Sequence, residues 1–134
     1  MGYHRVDPDS LAPTEDYPCD RRGVSDATDC SVLHLARYEM APGERLPRTY
    51  HYHAQREEAF YVLRGRLHVE TPEGEYEVPA GEVFVAEPES PHRAYNPDDA
   101  DEPVAVVGTG APRTDPALAY DPGEAAENER DGGD

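Results

Sequence analysis

His51, His53, Glu58 and His92 are side chains of the kind that hold a metal ion, and their spacing suits that work. If the His-x-His segment is a strand, both imidazoles share one face and Tyr52 points away. Glu58 adds a carboxylate after a four-residue spacer, and His92 returns beyond a turn-rich stretch. Three neutral imidazoles and one carboxylate suit a single divalent transition ion. Zn, Fe, Mn, Ni and Cu all accept that donor set, so the pattern implies a metal without naming it. Four protein donors leave one or two coordination positions for a substrate oxygen or for dioxygen. The chemistry this permits is that of a Lewis-acid isomerase, epimerase or lyase, or of a dioxygenase. The same donors would serve a non-catalytic module that binds or senses a small oxygen-rich molecule.

Neighbouring residues define the surroundings. Glu57 is the competing carboxylate, and the only base near the ion that the sequence offers for proton transfer besides a metal-bound hydroxide. Asn96 shares the face of His92 in a regular strand, as a donor to a ligand ring or as the turn residue before Pro97. Phe60, Tyr76, Phe84 and Tyr95 are read as core aromatics or as pocket walls. His34 and His68 lack a partner pattern and are read as structural or exposed.

Gly43-(x7)-His51-x-His53-(x4)-Glu58-(x6)-Gly65 resembles the first cupin motif, with a spacer before His51 two residues long of the usual pattern. Gly74-(x4)-Pro79-x-Gly81, followed by Pro88 to His92 and then -(x3)-Asn96, resembles the second. There the spacer after Gly74 is one short, and Glu89 stands where Gly is commoner. The resemblance implies an all-β fold, a double-stranded β-helix or jelly-roll barrel with the metal inside. It favours Glu58 over Glu57 through the spacing to Gly65. It also implies a small-molecule ligand and a homodimer formed by sheet packing.

The elements that must position these residues are short strands punctuated by Gly and Pro. Strands are expected at 31–40, 49–53, 58–63, 66–71, 75–78, 83–86 and 104–108, with no helix longer than a turn or two. In the run from Glu58 to Leu63, Phe60 and Val62 share the face of Glu58 while Ala59, Tyr61 and Leu63 take the other. Both faces are apolar, so the outer one must be covered by a second sheet or another subunit. Residues 66–78 form a hairpin with Leu67, Val69, Tyr76 and Val78 on its apolar side, and charge pairs including His68 on the other. Many short strands without helices indicate a sandwich or barrel.

The chain of 134 residues fits one domain. Residues 1–30 read as an extended arm with a short edge strand, 31–111 as the barrel, and 112–134 as an acidic tail. Leu118 and Tyr120 are positioned to dock on the barrel, while 122–134 is too poor in apolar residues to offset its ordering entropy. All 12 basic residues are Arg against 29 Asp and Glu, giving a net charge of -17. That balance suggests adaptation to concentrated salt, where the Debye length shrinks to roughly 3 Å and self-repulsion is screened. It excludes nucleic acid and anionic membranes as partners. The amino end lacks the apolar run of a signal peptide, so a cytoplasmic protein with Cys19 and Cys30 as free thiols is expected.

Overall fold

A computed structural model describes residues 2–122; residues 123–134, most of the segment for which the sequence predicts disorder, lie outside the described residues. Ten strands follow in order: β1 (Asp20–Gly23), β2 (His34–Met40), β3 (His51–Tyr52), β4 (Glu57–Arg64), β5 (Arg66–Thr71), β6 (Gly74–Pro79), β7 (Val83–Ala86), β8 (Arg93–Tyr95), β9 (Val104–Ala111) and β10 (Leu118–Ala119). A one-turn helix, α1 (Val24–Ala27), follows β1, and a single 3-10 turn occupies Pro8–Ser10. No helix among the described residues is long and apolar enough to cross a membrane.

One layer is a five-stranded sheet in the order β1-β2-β9-β4-β7, and the other holds the β6-β5-β8 sheet and the β10-β3 pair. Every pairing is antiparallel. Isolated bridges between His51 and His92 and between Arg45 and Tyr95 join the pieces of the second layer. The result is the jelly-roll barrel that the cupin resemblance implies, one of the sandwich and barrel folds that the strand pattern predicts. Between the layers lies a core of Met40, Val62, Leu67, Val69, Val104 and Val106, each at most 1% exposed.

Alternation along β4 runs as expected: Glu58, Phe60 and Val62 are buried, while Tyr61 and Leu63 are 45% and 47% exposed. The outer face is thus open to solvent in a single chain. Three details differ from the sequence expectation. β2 begins at His34, three residues later than predicted. β9 continues to Ala111 through Gly108 and Gly110, glycines that read as a strand end but face crowded neighbours. A Cβ on Gly108 would lie 2.8 Å from the Tyr38 ring, so close packing, not chain reversal, requires glycine there. Tyr76, placed by pattern on the apolar side of the hairpin, is 49% exposed because β6 is an edge strand.

Candidate metal centre

β3 carries His51 and ends just before His53, β4 carries Glu58, and His92 immediately precedes β8. The backbones of His51 and His92 face each other: the His92 amide donates to the His51 carbonyl at 2.9 Å, and the reverse bond is 3.4 Å. The bend that delivers His92 is pinned by Glu89, whose amide donates to the His53 carbonyl at 2.7 Å. Glu89 does this with φ 65°, a left-handed conformation that explains why glycine suits the position.

The four side chains converge, all buried, with exposures of 8% for His51, 6% for His53, 8% for Glu58 and 3% for His92. Glu58 Oε1 lies 2.9 Å from His53 Nε2, 3.6 Å from His51 Nε2 and 3.7 Å from His92 Nε2. Donor atoms of His51, Glu58 and His92 all fall within 4.8 Å of one another.

The opposite ring nitrogens fix which nitrogen carries the proton of a neutral ring. His51 Nδ1 lies 3.0 Å from the Thr49 carbonyl, and His92 Nδ1 2.8 Å from that of Ser90. His53 Nδ1 lies 3.0 Å and 3.1 Å from the carbonyls of Asp115 and Pro116. A carbonyl oxygen only accepts, so each Nδ1 carries the proton and donates. In the neutral rings each Nε2 is then a lone pair aimed into the cluster. The 2.9 Å approach of His53 Nε2 to Glu58 Oε1 looks like a hydrogen bond by length, yet it sets a lone pair against an anion unless something positive intervenes. Accordingly Glu58 Oε1 and His92 Nε2 are buried polar atoms without a hydrogen-bond partner.

Burial alone would push the Glu58 carboxyl up, but hydrogen bonds from His51 and His53 and the charge of His92 hold it well below the usual carboxylate range, which requires rings protonated at Nε2 or a cation in place of those protons. Burial pushes the His92 imidazole down, against the pull of the Ser90 carbonyl and Glu58. With the rings neutral, a buried carboxylate facing three Nε2 lone pairs calls for a cation. A single proton on His53 would satisfy one contact and leave His92 Nε2 orphaned, whereas one divalent ion would accept His51, Glu58 and His92 together, with His53 meeting the group through its 2.9 Å approach to Glu58. The residues present fit such an ion.

Around the cluster, Phe60 and Phe84 stack at 6.5 Å between centroids and lie 6.0 Å and 6.3 Å from the His92 ring. Tyr76 meets Phe84 edge-on at 5.3 Å, continuing this wall outward. Glu57 is exposed on the opposite face of β4. The Asn96 amide donates to the carbonyls of Met40 (3.1 Å) and Glu102 (3.0 Å), so it ties a loop to the core instead of supporting an imidazole. His68 pairs with Glu77 directly across the hairpin at 3.1 Å. Sequence reasoning missed Asp115, which closes over the site: its carboxylate accepts from the Gln55 and Arg56 amides at 2.8 Å and 2.9 Å. It also missed that His34, Arg21, Arg48 and Arg56 share a cavity with His51, His53 and Glu58. For His34 a signal existed, because it lies in phase with the inward Ala36, Tyr38 and Met40 of β2.

An antiparallel jelly-roll barrel with three imidazoles and a carboxylate converging inside defines the class. The chain belongs to the cupin family: the family model for the cupin domain matches residues 36–107. Among solved structures it is similar to a sugar phosphate isomerase from a cupin superfamily of Silicibacter pomeroyi, with 22% identity, a TM-score of 0.73, and coverage of 88% of this chain and 82% of that one. The polyketide cyclase RemF from Streptomyces resistomycificus aligns with 22% identity, a TM-score of 0.70 and 94% coverage of each chain. KdgF from Halomonas sp. aligns with 21% identity, a TM-score of 0.65, and coverage of 84% of this chain and 96% of that one. No curated protein sequence matches the chain.

Proposed function

We propose that His51, His53, Glu58 and His92 hold one divalent transition-metal ion and present it to a small oxygen-rich ligand. The observation that carries this reading is the set of Nδ1 to carbonyl contacts, which turns three Nε2 lone pairs and the Glu58 carboxylate toward one buried point. Cupins commonly bind divalent metals, and the donor set accepts Zn, Fe, Mn, Ni or Cu. A bound ion would supply Lewis acidity, polarising a carbonyl or hydroxyl oxygen of the ligand.

Turnover by proton transfer, as in an isomerase, epimerase or lyase, would need a base beside the cluster. His34 lies in the same cavity as three of the four donors. Burial, then the charges of Arg56 and Arg21, push its imidazole down to about 4, and its Nε2 accepts from Arg21 Nη2 at 3.3 Å, so it is a neutral ring that orients Arg21 and a poor base. Glu57, the base considered from sequence, faces away. The second reading is a binding or sensor module, supported by Asp115: this cavity carboxylate is already committed to two backbone amides.

The test is elemental analysis of the full chain purified without metal-affinity contact. About one equivalent of a transition metal is expected, with loss from His92→Ala and Glu58→Gln exceeding the roughly 10- to 100-fold affinity cost of outer-shell changes. Metal uptake unaffected by either substitution would overturn the site. Product formation by the metal-loaded chain across a carbonyl and sugar library, against stoichiometric binding without turnover, separates enzyme from module.

A further inference from the structure

With 29 acidic residues against 12 arginines, an arbitrary stretch of this surface should be acidic. The cavity reaching His51, His53 and Glu58, about 370 Å³ in volume, is not. Three guanidinium groups, Arg21, Arg48 and Arg56, stand there against two carboxylates, Glu58 and Asp115. Both carboxylates are engaged, Glu58 by the imidazoles and Asp115 by backbone amides. Arg21 is paired with Asp26 at 3.2 Å.

Arg48 and Arg56 form no ion pair among the described residues. Arg56 donates from Nε to the Pro112 carbonyl at 3.1 Å and from Nη2 to that of Arg113. Arg48 donates to the Asp16 carbonyl at 2.5 Å, and its guanidinium lies 4.9 Å over the Tyr17 ring. Carbonyls and a ring face orient a guanidinium without cancelling its charge, so both retain a full positive charge and unused N–H groups at the cavity wall.

The opposite approach has the contrary sign. A second cavity of about 630 Å³ reaches His92 past Phe84, and its wall carries five glutamates and no arginine. An anion nearing the cluster is repelled on that side and drawn in on the other.

We propose that the arginine-walled cavity takes a small oxyanion, a carboxylate or phosphate ester, with its charged group on Arg48 and Arg56 and a second oxygen reaching the His–Glu cluster. The second contact rests on the metal reading above; the first does not. A volume of about 370 Å³ lies in the range of small-molecule pockets, roughly 300–1,000 Å³.

The test is calorimetric titration of malonate, inorganic phosphate and the uncharged 1,3-propanediol into the full chain at fixed ionic strength, with metal content measured on each sample. Malonate or phosphate should bind, the diol should not, and Arg48→Gln and Arg56→Gln should each weaken the anion at least tenfold with metal content unchanged. Arg56 also tethers Pro112 and Arg113, so Arg48→Gln, at an exposed side chain, is the variant that leaves folding untouched; Arg48→Lys should restore part of the loss. Equal binding of the diol, or anion affinity indifferent to both arginines in a metal-loaded chain, overturns the proposal. An ion-free chain that still binds malonate through these arginines upholds it and sinks the metal reading instead.

Discussion

A backbone carbonyl that can only accept puts a proton on Nδ1 of each of three imidazoles, so that any of them that is neutral turns its Nε2 lone pair into the cluster. His34 is the contrasting ring. Its Nε2 faces Arg21 Nη2 at 3.3 Å, and because a guanidinium only donates, this nitrogen is the acceptor and the ring is neutral. Its folded-state value of about 4 lies below the ordinary 6.5, so between these limits the unfolded chain binds a proton that the folded chain refuses. Stability from this residue is therefore present above pH 6.5 and lost as pH falls toward 4. His34→Gln should flatten that part of the pH dependence, read as the urea midpoint at steps from pH 7.5 to 4. An unchanged slope would mean that the ring titrates normally. His51, His53 and Glu58 were legible because strand alternation and short spacers are local, and His92, 34 residues further on, only through the resemblance to the second cupin motif. Arg48, Arg56 and Asp115 were not. Arg56 and Asp115 are placed by residues 112–117 folding back beside β3, a contact spanning 62 positions between His53 and Asp115, and Arg48 by the amino-terminal arm at Asp16 and Tyr17; no local pattern encodes either.

At the scale of elements, hydrophobic alternation located the strands whose two faces differ and failed where glycine or an edge intervened. β4 and β7 were readable from their apolar runs, whereas β9 was cut short at Gly108 because glycine signals a break by propensity. The pairing of β10 with β3, two residues on each side, lies below what periodicity can detect. Gly65, at the junction of β4 and β5, shows what a motif glycine does here. It adopts φ 79°, and a Cβ would sit 2.5 Å from the Pro103 carbonyl oxygen and 3.1 Å from Val104. The backbone leaves no room to yield, so Gly65→Ala combines left-handed strain of about 1–2 kcal/mol with an overpacking cost of about 1–3 kcal/mol. A destabilisation of about 2 kcal/mol or more is expected in urea unfolding. A loss below about 0.5 kcal/mol would show that the turn can relax, and that this glycine is not needed to aim β5.

For the whole molecule, the sheet that carries Glu58 on its inner side presents an apolar outer side. Tyr61, Leu63, Val83 and Val85 are 45%, 47%, 51% and 61% exposed, and the pairing of Ala59 with Val85 and of Tyr61 with Val83 makes them one patch. Val107 and Thr109 of β9 extend it through their pairing with Tyr61 and Ala59, and none of these residues is charged. In a chain of net charge -17, this is a face on which two copies can meet without opposing carboxylates. The homodimer that the cupin resemblance implies would form here. Its driving force is apolar burial at about 25 cal/mol per Å², opposed by repulsion between two polyanions. Repulsion is screened within a Debye length of about 10 Å at 0.1 M salt and about 3 Å at 1 M, while burial strengthens in salting-out ions. The dimer should therefore tighten as KCl rises from 0.1 to 2 M, by at least tenfold in dissociation constant from light scattering or sedimentation. Val85→Glu places a charge in the patch, on its edge strand β7 and at its most exposed residue, and should give a monomer at all salt concentrations, with any bound metal preserved because Val85 points away from the cluster. A chain that is monomeric at 2 M KCl and high protein concentration, or a Val85→Glu variant that still dimerises, would move the interface elsewhere and leave the exposed face of β4 and β7 for another partner.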